Sequence, residues 1–132
     1  MEKTLRAISK VFNKAEINTE DTEHTAYVFE RPPHAYPLFM AARVKTDFAG
    51  VTVPQVSVGI SGDTDKYIKQ QHIDQAGDLL GMTQGTYCDA FKIGYMKTPS
   101  DSETIIATFS SSTGNWSDLS AGEIEFLLVY AE

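Results

Sequence analysis

A single cysteine, Cys88, stands in the 132-residue chain, so no intrachain disulfide can form and the fold must be held by packing or assembly. One thiol also excludes the usual thiolate zinc site. Without a histidine beside it in Gly85-Thr86-Tyr87-Cys88-Asp89-Ala90, Cys88 reads as a small hydrophobe rather than a nucleophile. Long apolar runs are missing as well, and nothing approaches the length needed to cross a bilayer. The start, Met1-Glu2-Lys3-Thr4-Leu5-Arg6, is charged and is followed by no apolar stretch of signal-peptide type, so the chain is expected to fold in a cytoplasm. Basic residues are few: 11 against 18 acidic ones give a net charge of −7. That balance repels phosphate backbones and argues against nucleic acid as a partner. The basic residues nearest to a cluster, Lys3, Arg6, Lys10 and Lys14, read as a solvated face. Neither nucleic acid nor membrane is an expected partner.

Motifs that carry chemistry are equally scarce. The nine glycines are dispersed, so there is no phosphate-cradling loop, and no Gly-x-Ser-x-Gly elbow occurs. His24, His34 and His72 share no helix-face or strand-face spacing and form no zincin pattern. Asp63 and Asp65 superficially resemble the start of a calcium loop. They lack the glycine and distal glutamate at the required offsets, and Asp74 stands where that glutamate belongs. Helix capping at a turn is the preferred reading. An enzyme would need histidine and carboxylate side chains to converge in space. No catalytic residue, metal ligand or cofactor is assigned, and the chain is expected not to be an enzyme.

What is present is alternation. Apolar residues make up 42% of the chain and charged residues 22%, an ordinary globular composition of a length that fits one domain over 1–132. Leu38, Met40, Ala42, Val44, Thr46 and Phe48 share one face of a strand. Ile105, Ala107 and Phe109 share a face of another, and Ile124, Phe126, Leu128 and Tyr130 of a third. In the last of these the intervening Leu127 and Val129 are apolar too, so it is expected to be covered on both sides, the second by a subunit interface. Weaker strands are expected at Thr25–Glu30, Gln55–Ile60 and Phe91–Lys97. In residues 1–24, Leu5, Ile8, Val11, Phe12 and Ala15 fit a helix, and Leu5, Ala7 and Val11 with Ile8 and Phe12 opposite fit a strand. The strand is favoured because a sheet needs partners. Ser61 to Asp65 reads as a turn with Asp63 capping a short helix through Lys66–Gln70. Three prolines between Arg31 and Pro37 bar that segment from a central strand.

Six or seven short strands joined by turns give an all-β chain. The expected architecture is an antiparallel, jelly-roll-like β-sandwich with at most one or two short helices, since a small open sheet would leave sticky edges. Tyr36, Tyr87 and Trp116 fall in expected loops, where aromatics either anchor contacts or lid the ends of a core. The stiff Pro32-Pro33-His34-Ala35-Tyr36-Pro37 segment and Trp116 are the candidate contact loops, and Leu127 and Val129 the candidate subunit-interface residues.

The order of segments also resembles a known group. Ala42-Arg43-Val44-Lys45-Thr46-Asp47-Phe48-Ala49-Gly50 leads into Val56-Ser57-Val58-Gly59-Ile60-Ser61-Gly62-Asp63-Thr64-Asp65-Lys66-Tyr67-Ile68. Ile105-Ile106-Ala107-Thr108-Phe109, a Gly/Ser loop, and Ala121-Gly122-Glu123-Ile124-Glu125-Phe126-Leu127-Leu128-Val129-Tyr130 close the chain. This resembles the small virion-associated β-sandwich proteins encoded among the structural genes of tailed bacteriophages. Those carry a Thr-x-Phe-x-Gly strand end, a Val-Gly-x-x-Gly-Asp-x-Asp turn and a closing Val-Tyr. The chain departs from them at Arg31–Pro37, where the group often has a Leu-Pro-Ala-Gly corner. The resemblance implies a non-enzymatic virion protein assembled in a bacterial host cytoplasm. Foremost it implies a capsid decoration (auxiliary head) protein, oligomeric and bound to the major capsid protein or other virion proteins. A host-surface or carbohydrate-binding module on a head or tail fibre is the alternative.

Overall fold

The computed structural model describes residues 4–77 and 101–132, and the backbone of residues 79–81. The expected strand Phe91–Lys97 and the readings of Tyr87 and Cys88 lie outside the described residues. Among those described, the strands are β1 (Leu5–Asn13), β2 (Glu23–Arg31), β3 (Tyr36–Ala49), β4 (Gln55–Ile60), β5 (Asp63–His72), β6 (Leu79–Gly81), β7 (Glu103–Ser110) and β8 (Ala121–Ala131). One 3₁₀ turn, Trp116–Asp118, precedes β8. The all-β antiparallel sandwich expected from alternation is what the chain forms.

Its topology follows from four antiparallel pairs: β1 with β8, β2 with β7, β3 with β6 and β4 with β5. Read along the chain, these pairs make one long hairpin folded over on itself. Two further pairings, β3 with β8 and β4 with β7, roll that hairpin into sheets ordered β1-β8-β3-β6 and β2-β7-β4-β5. Successive strands β1 to β4 alternate between the sheets, so every connection there crosses the core.

Inward positions fall where the two-residue period places them. Met40, Ala42, Val44 and Phe48 of β3 are buried, as are Ile105, Ala107 and Phe109 of β7 and Ile124, Phe126, Leu128 and Tyr130 of β8. Phe12, Phe48, Phe109, Trp116 and Phe126 form an aromatic centre. Ring centroids there lie 5.6–6.3 Å apart, mostly edge to face, the geometry favoured by the ring quadrupole. Leu38 and Thr46 break the pattern and are exposed, because register shifts between Pro37 and Phe39 and between Val44 and Thr46 turn them outward.

The helix expected at Lys66–Gln70 is not formed; those residues belong to β5. Ser61-Gly62 is the tight turn of a β4–β5 hairpin, with Ile60 opposite Asp63 and Gly62 at φ +89°, a value favouring glycine. Asp63 is thus a strand residue and not a helix cap. A bulge lets the neighbours Tyr67 and Ile68 both be buried, and this hid the strand period in the sequence. The N-terminal segment is a strand, with Ile8 and Phe12 toward the core. No element was expected at residues 79–81, where β6 pairs with Ala41–Arg43.

Candidate functional site

The outer face of the β1-β8-β3-β6 sheet divides into an apolar and a charged half. The register sets the residues in rows: Leu5, Ala131, Tyr36; Ala7, Val129, Phe39; Ser9, Leu127, Ala41; then Val11, Glu125, Arg43. Leu5 is 67% exposed and Phe39 40%. Leu38 bulges outward beside Phe39, and Leu127 and Val129 are half-buried between the flanking strands. A continuous greasy strip therefore runs across three strands toward the C-terminal end of β8. An ion pair, Lys45 with Glu125 at 3.9 Å, bounds it on the charged side. An apolar centre with a charged rim is the composition of a protein contact.

At the same end of β3 lies the proline-rich corner, and a buried ionic knot fixes its shape. Arg31 is only 4% exposed. Its Nη1 donates to the carbonyls of Pro32 (3.2 Å) and Ala35 (3.0 Å), and its Nη2 to that of Asp101 (3.1 Å). Nε makes no hydrogen bond and faces Glu103 Oε1 at 3.7 Å. Glu103 in turn accepts from Lys66 Nζ at 2.5 Å and from the Tyr67 hydroxyl. Burial pushes the Glu103 carboxyl up, but the Lys66 and Tyr67 hydrogen bonds and the charges of Lys66 and Arg31 outweigh it and hold the group below the ordinary glutamate value. The corner between these anchors carries His34 at φ +66°, a left-handed conformation that costs a non-glycine residue energy and persists because its surroundings fix it. Ala35 is the buried plug, and Pro33 and His34 are the exposed tip.

Two of the candidate contact aromatics do not face solvent. Tyr36 is the first residue of β3 and is buried. Trp116 is fully buried, its Nε1 donating to the Thr22 carbonyl at 2.9 Å and its ring edge-on to Phe48 and Phe109. Trp116 lids the opposite end of the sandwich, near Ala49, so it is not brought together with the Pro32–Tyr36 corner. Its burial has a cause: the large ring covers the aromatic centre, while its one polar atom finds a carbonyl.

The histidines take separate roles. His24 is half-buried against Phe109 and hydrogen-bonded to Thr19 Oγ1, and desolvation lowers its pKa. His34 is at the corner tip, and His72 Nε2 lies 3.4 Å from Gln55 Nε2. Among the described residues no three His, Cys, Asp or Glu side chains are placed to share a metal. Of the basic residues that sequence spacing grouped, Arg6 pairs with Glu132, and Lys14 reaches the Ser120 carbonyl at 3.4 Å. Lys10 sits over the rings of Phe12 and Tyr27 at 5.0 and 5.3 Å.

No protein-family model and no curated protein matches the chain. Solved structures do. A chain of the capsid asymmetric unit of cyanophage Pam1 is similar over 98% of this chain and 85% of its own, with a TM-score of 0.62 and 13% identity. A chain of the capsid of Ralstonia phage GP4 is similar over 99% and 84%, with a TM-score of 0.60 and 16% identity. One from the acid-stable capsid of the Helicobacter pylori bacteriophage KHP30 is similar over 98% and 94%, at 0.53 and 10%. At these identities the likeness is one of fold.

Proposed function

We propose that this chain is a non-catalytic structural protein of a bacteriophage virion, and that it decorates the head by binding the major capsid protein. The observation that carries the reading is the fold itself, shared nearly end to end with chains of three phage capsids. The strand order supports it. Sheets ordered 1-8-3-6 and 2-7-4-5 agree with a rolled-up hairpin of jelly-roll type, an architecture recurrent in viral capsids. The greasy strip of Leu5, Phe39, Leu127 and Val129 is the face assigned to the capsid or to a neighbouring copy, with the rigid Pro33-His34 tip beside it. A fibre-borne glycan module built on Tyr36 or Trp116 is not favoured, since both rings are buried.

Quantitative mass spectrometry of purified virions tests the assignment. A decoration protein is present in a copy number comparable with that of the major capsid protein. A handful of copies per particle, or none, overturns it.

A further inference from the structure

The sheets end in four edge strands, β1 and β6 in one, β2 and β5 in the other. Bulges interrupt β2 and β5, and β6 has three residues. Bulges and short length are common ways to keep an edge from pairing with foreign strands. β1 has neither. It runs nine residues without proline, in unbroken register against β8, and no other strand of the described residues pairs with it.

The main chain of β1 is open on its far side. Thr4 and Glu132 exchange both main-chain hydrogen bonds, at 2.8 and 3.0 Å. Opposed residues of an antiparallel pair alternate between bonded and non-bonded, so in this register Arg6, Ile8, Lys10 and Phe12 bond β8 as well. Leu5, Ala7, Ser9 and Val11 then aim their N–H and C=O groups away from β8, at the edge. Asn13, next in that series, shows the direction. Its N–H donates to Glu16 Oε1 at 3.3 Å, and its carbonyl accepts from the amides of Glu16 and Ile17 at 3.0 and 3.2 Å. The turn after β1 thus closes one end of the edge and leaves Leu5 to Val11 open.

The side chains of β1 select what could pair there. Leu5, 67% exposed, and Ala7 stand on the outer face. Arg6 and Lys10 are on the inner side, and β1 contains no acidic residue, in a chain of net charge −7. Arg6 pairs with Glu132. Lys10 is half-buried at the seam between β1 and β2, where Nζ donates to the Tyr27 carbonyl at 3.2 Å and lies over the rings of Phe12 and Tyr27. Among the described residues no carboxylate comes within ion-pair distance of it. A half-buried ammonium without a counter-charge, beside an open row of main-chain groups, is a place for an incoming carboxylate.

We infer that β1 docks an extended segment of another protein in which apolar and acidic residues alternate. The segment adds a strand to the sheet by bonding the main chain of Leu5, Ala7, Ser9 and Val11. Its apolar side chains continue the outer face beside Leu5 and Ala7, and its acidic ones fall on the inner side within reach of Lys10. A second copy of this chain fits less well. Pairing β1 with itself antiparallel through all four residues sets Leu5 opposite Val11, and therefore Arg6 of one copy opposite Lys10 of the other, like charge against like. Nothing in this chemistry depends on a capsid.

Residue-resolved amide hydrogen exchange on the full chain tests the edge, with two synthetic peptides as probes, one alternating valine and glutamate and one alternating valine and lysine. In the free chain the amides of Ile8 and Lys10 exchange slowly and those of Ala7, Ser9 and Val11 fast. The glutamate peptide protects Ala7, Ser9 and Val11. The lysine peptide binds about tenfold more weakly or worse, although net charge alone would favour it. Ala7→Pro removes an edge-facing N–H without touching a bond to β8 and should abolish the protection gained at Ser9 and Val11. Lys10→Gln should remove the preference for glutamate while the melting transition stays cooperative, and it carries the test if the proline variant misfolds. Protection of Ala7, Ser9 and Val11 in the free monomer, none gained with the glutamate peptide, equal binding of both peptides, or protection that follows protein concentration alone overturns the proposal.

Discussion

Glu103 shows what one residue does to a loop far away in the chain. It neutralises Arg31, and Arg31 ties down three carbonyls of the proline-rich corner and its surroundings. Because the carboxyl is held below its ordinary value, the stability it contributes is fully present above the unfolded-state glutamate range. It is lost as pH falls through the lowered folded-state value. Glu103→Gln is therefore expected to cost about 2–3 kcal/mol at neutral pH, leaving Arg31 buried without its counter-charge. The gap from the parent protein should close on acidification, as chemical denaturation across a pH series would reveal. A gap that stays constant with pH would mean that the carboxylate's charge is not what anchors the corner. None of this partnership was legible in the sequence. Arg31 and Glu103 are far apart in the chain, and nothing in local patterning distinguishes a buried arginine from a solvated one. Trp116 was ambiguous for a related reason: its surroundings are polar in sequence, and only the fold brings Phe48 and Phe109 beneath it.

At the scale of elements, β7 and β8 were readable because the extra residues at their register shifts lie in the partner strands, β2 and β3, and leave their own alternation intact. Two elements resisted, for different reasons. In β5, Tyr67 and Ile68 are both buried across a register shift, so the period of two disappears and the polar start resembles a helix cap. In β1, Lys10 occupies an inward position at the open edge of the sandwich, half-buried and donating to the Tyr27 carbonyl at 3.2 Å. A charge on an inward strand face is a device that blunts an edge, and it is also why helix and strand could not be separated there by periodicity. The apolar second face of β8 was legible, and it leads to a prediction about that element. Leu127→Glu with Val129→Glu should abolish binding to capsids or self-association while shifting unfolding by about 1 kcal/mol or less, the range of surface substitutions. Sedimentation and thermal melts on the same preparation would separate the two effects. If the double variant fails to fold instead, these side chains are core and the strip is not a contact surface.

For the whole molecule, the two sheets present outer faces of different kinds, one carrying the greasy strip, the other polar, with Glu23, Asp65 and Gln70 exposed. A chain that binds a surface by one face and leaves the other to solvent needs this asymmetry. The net charge of −7 sets free copies of the chain to repel one another. A cryo-electron microscopy reconstruction of the native particle tests that arrangement most directly. Density for this chain on the head is expected, with Leu5, Phe39, Leu127 and Val129 packed against protein and Glu23, Asp65 and Gln70 open to solvent. Density with the greasy strip facing solvent, or a head on which the chain is absent, would contradict it.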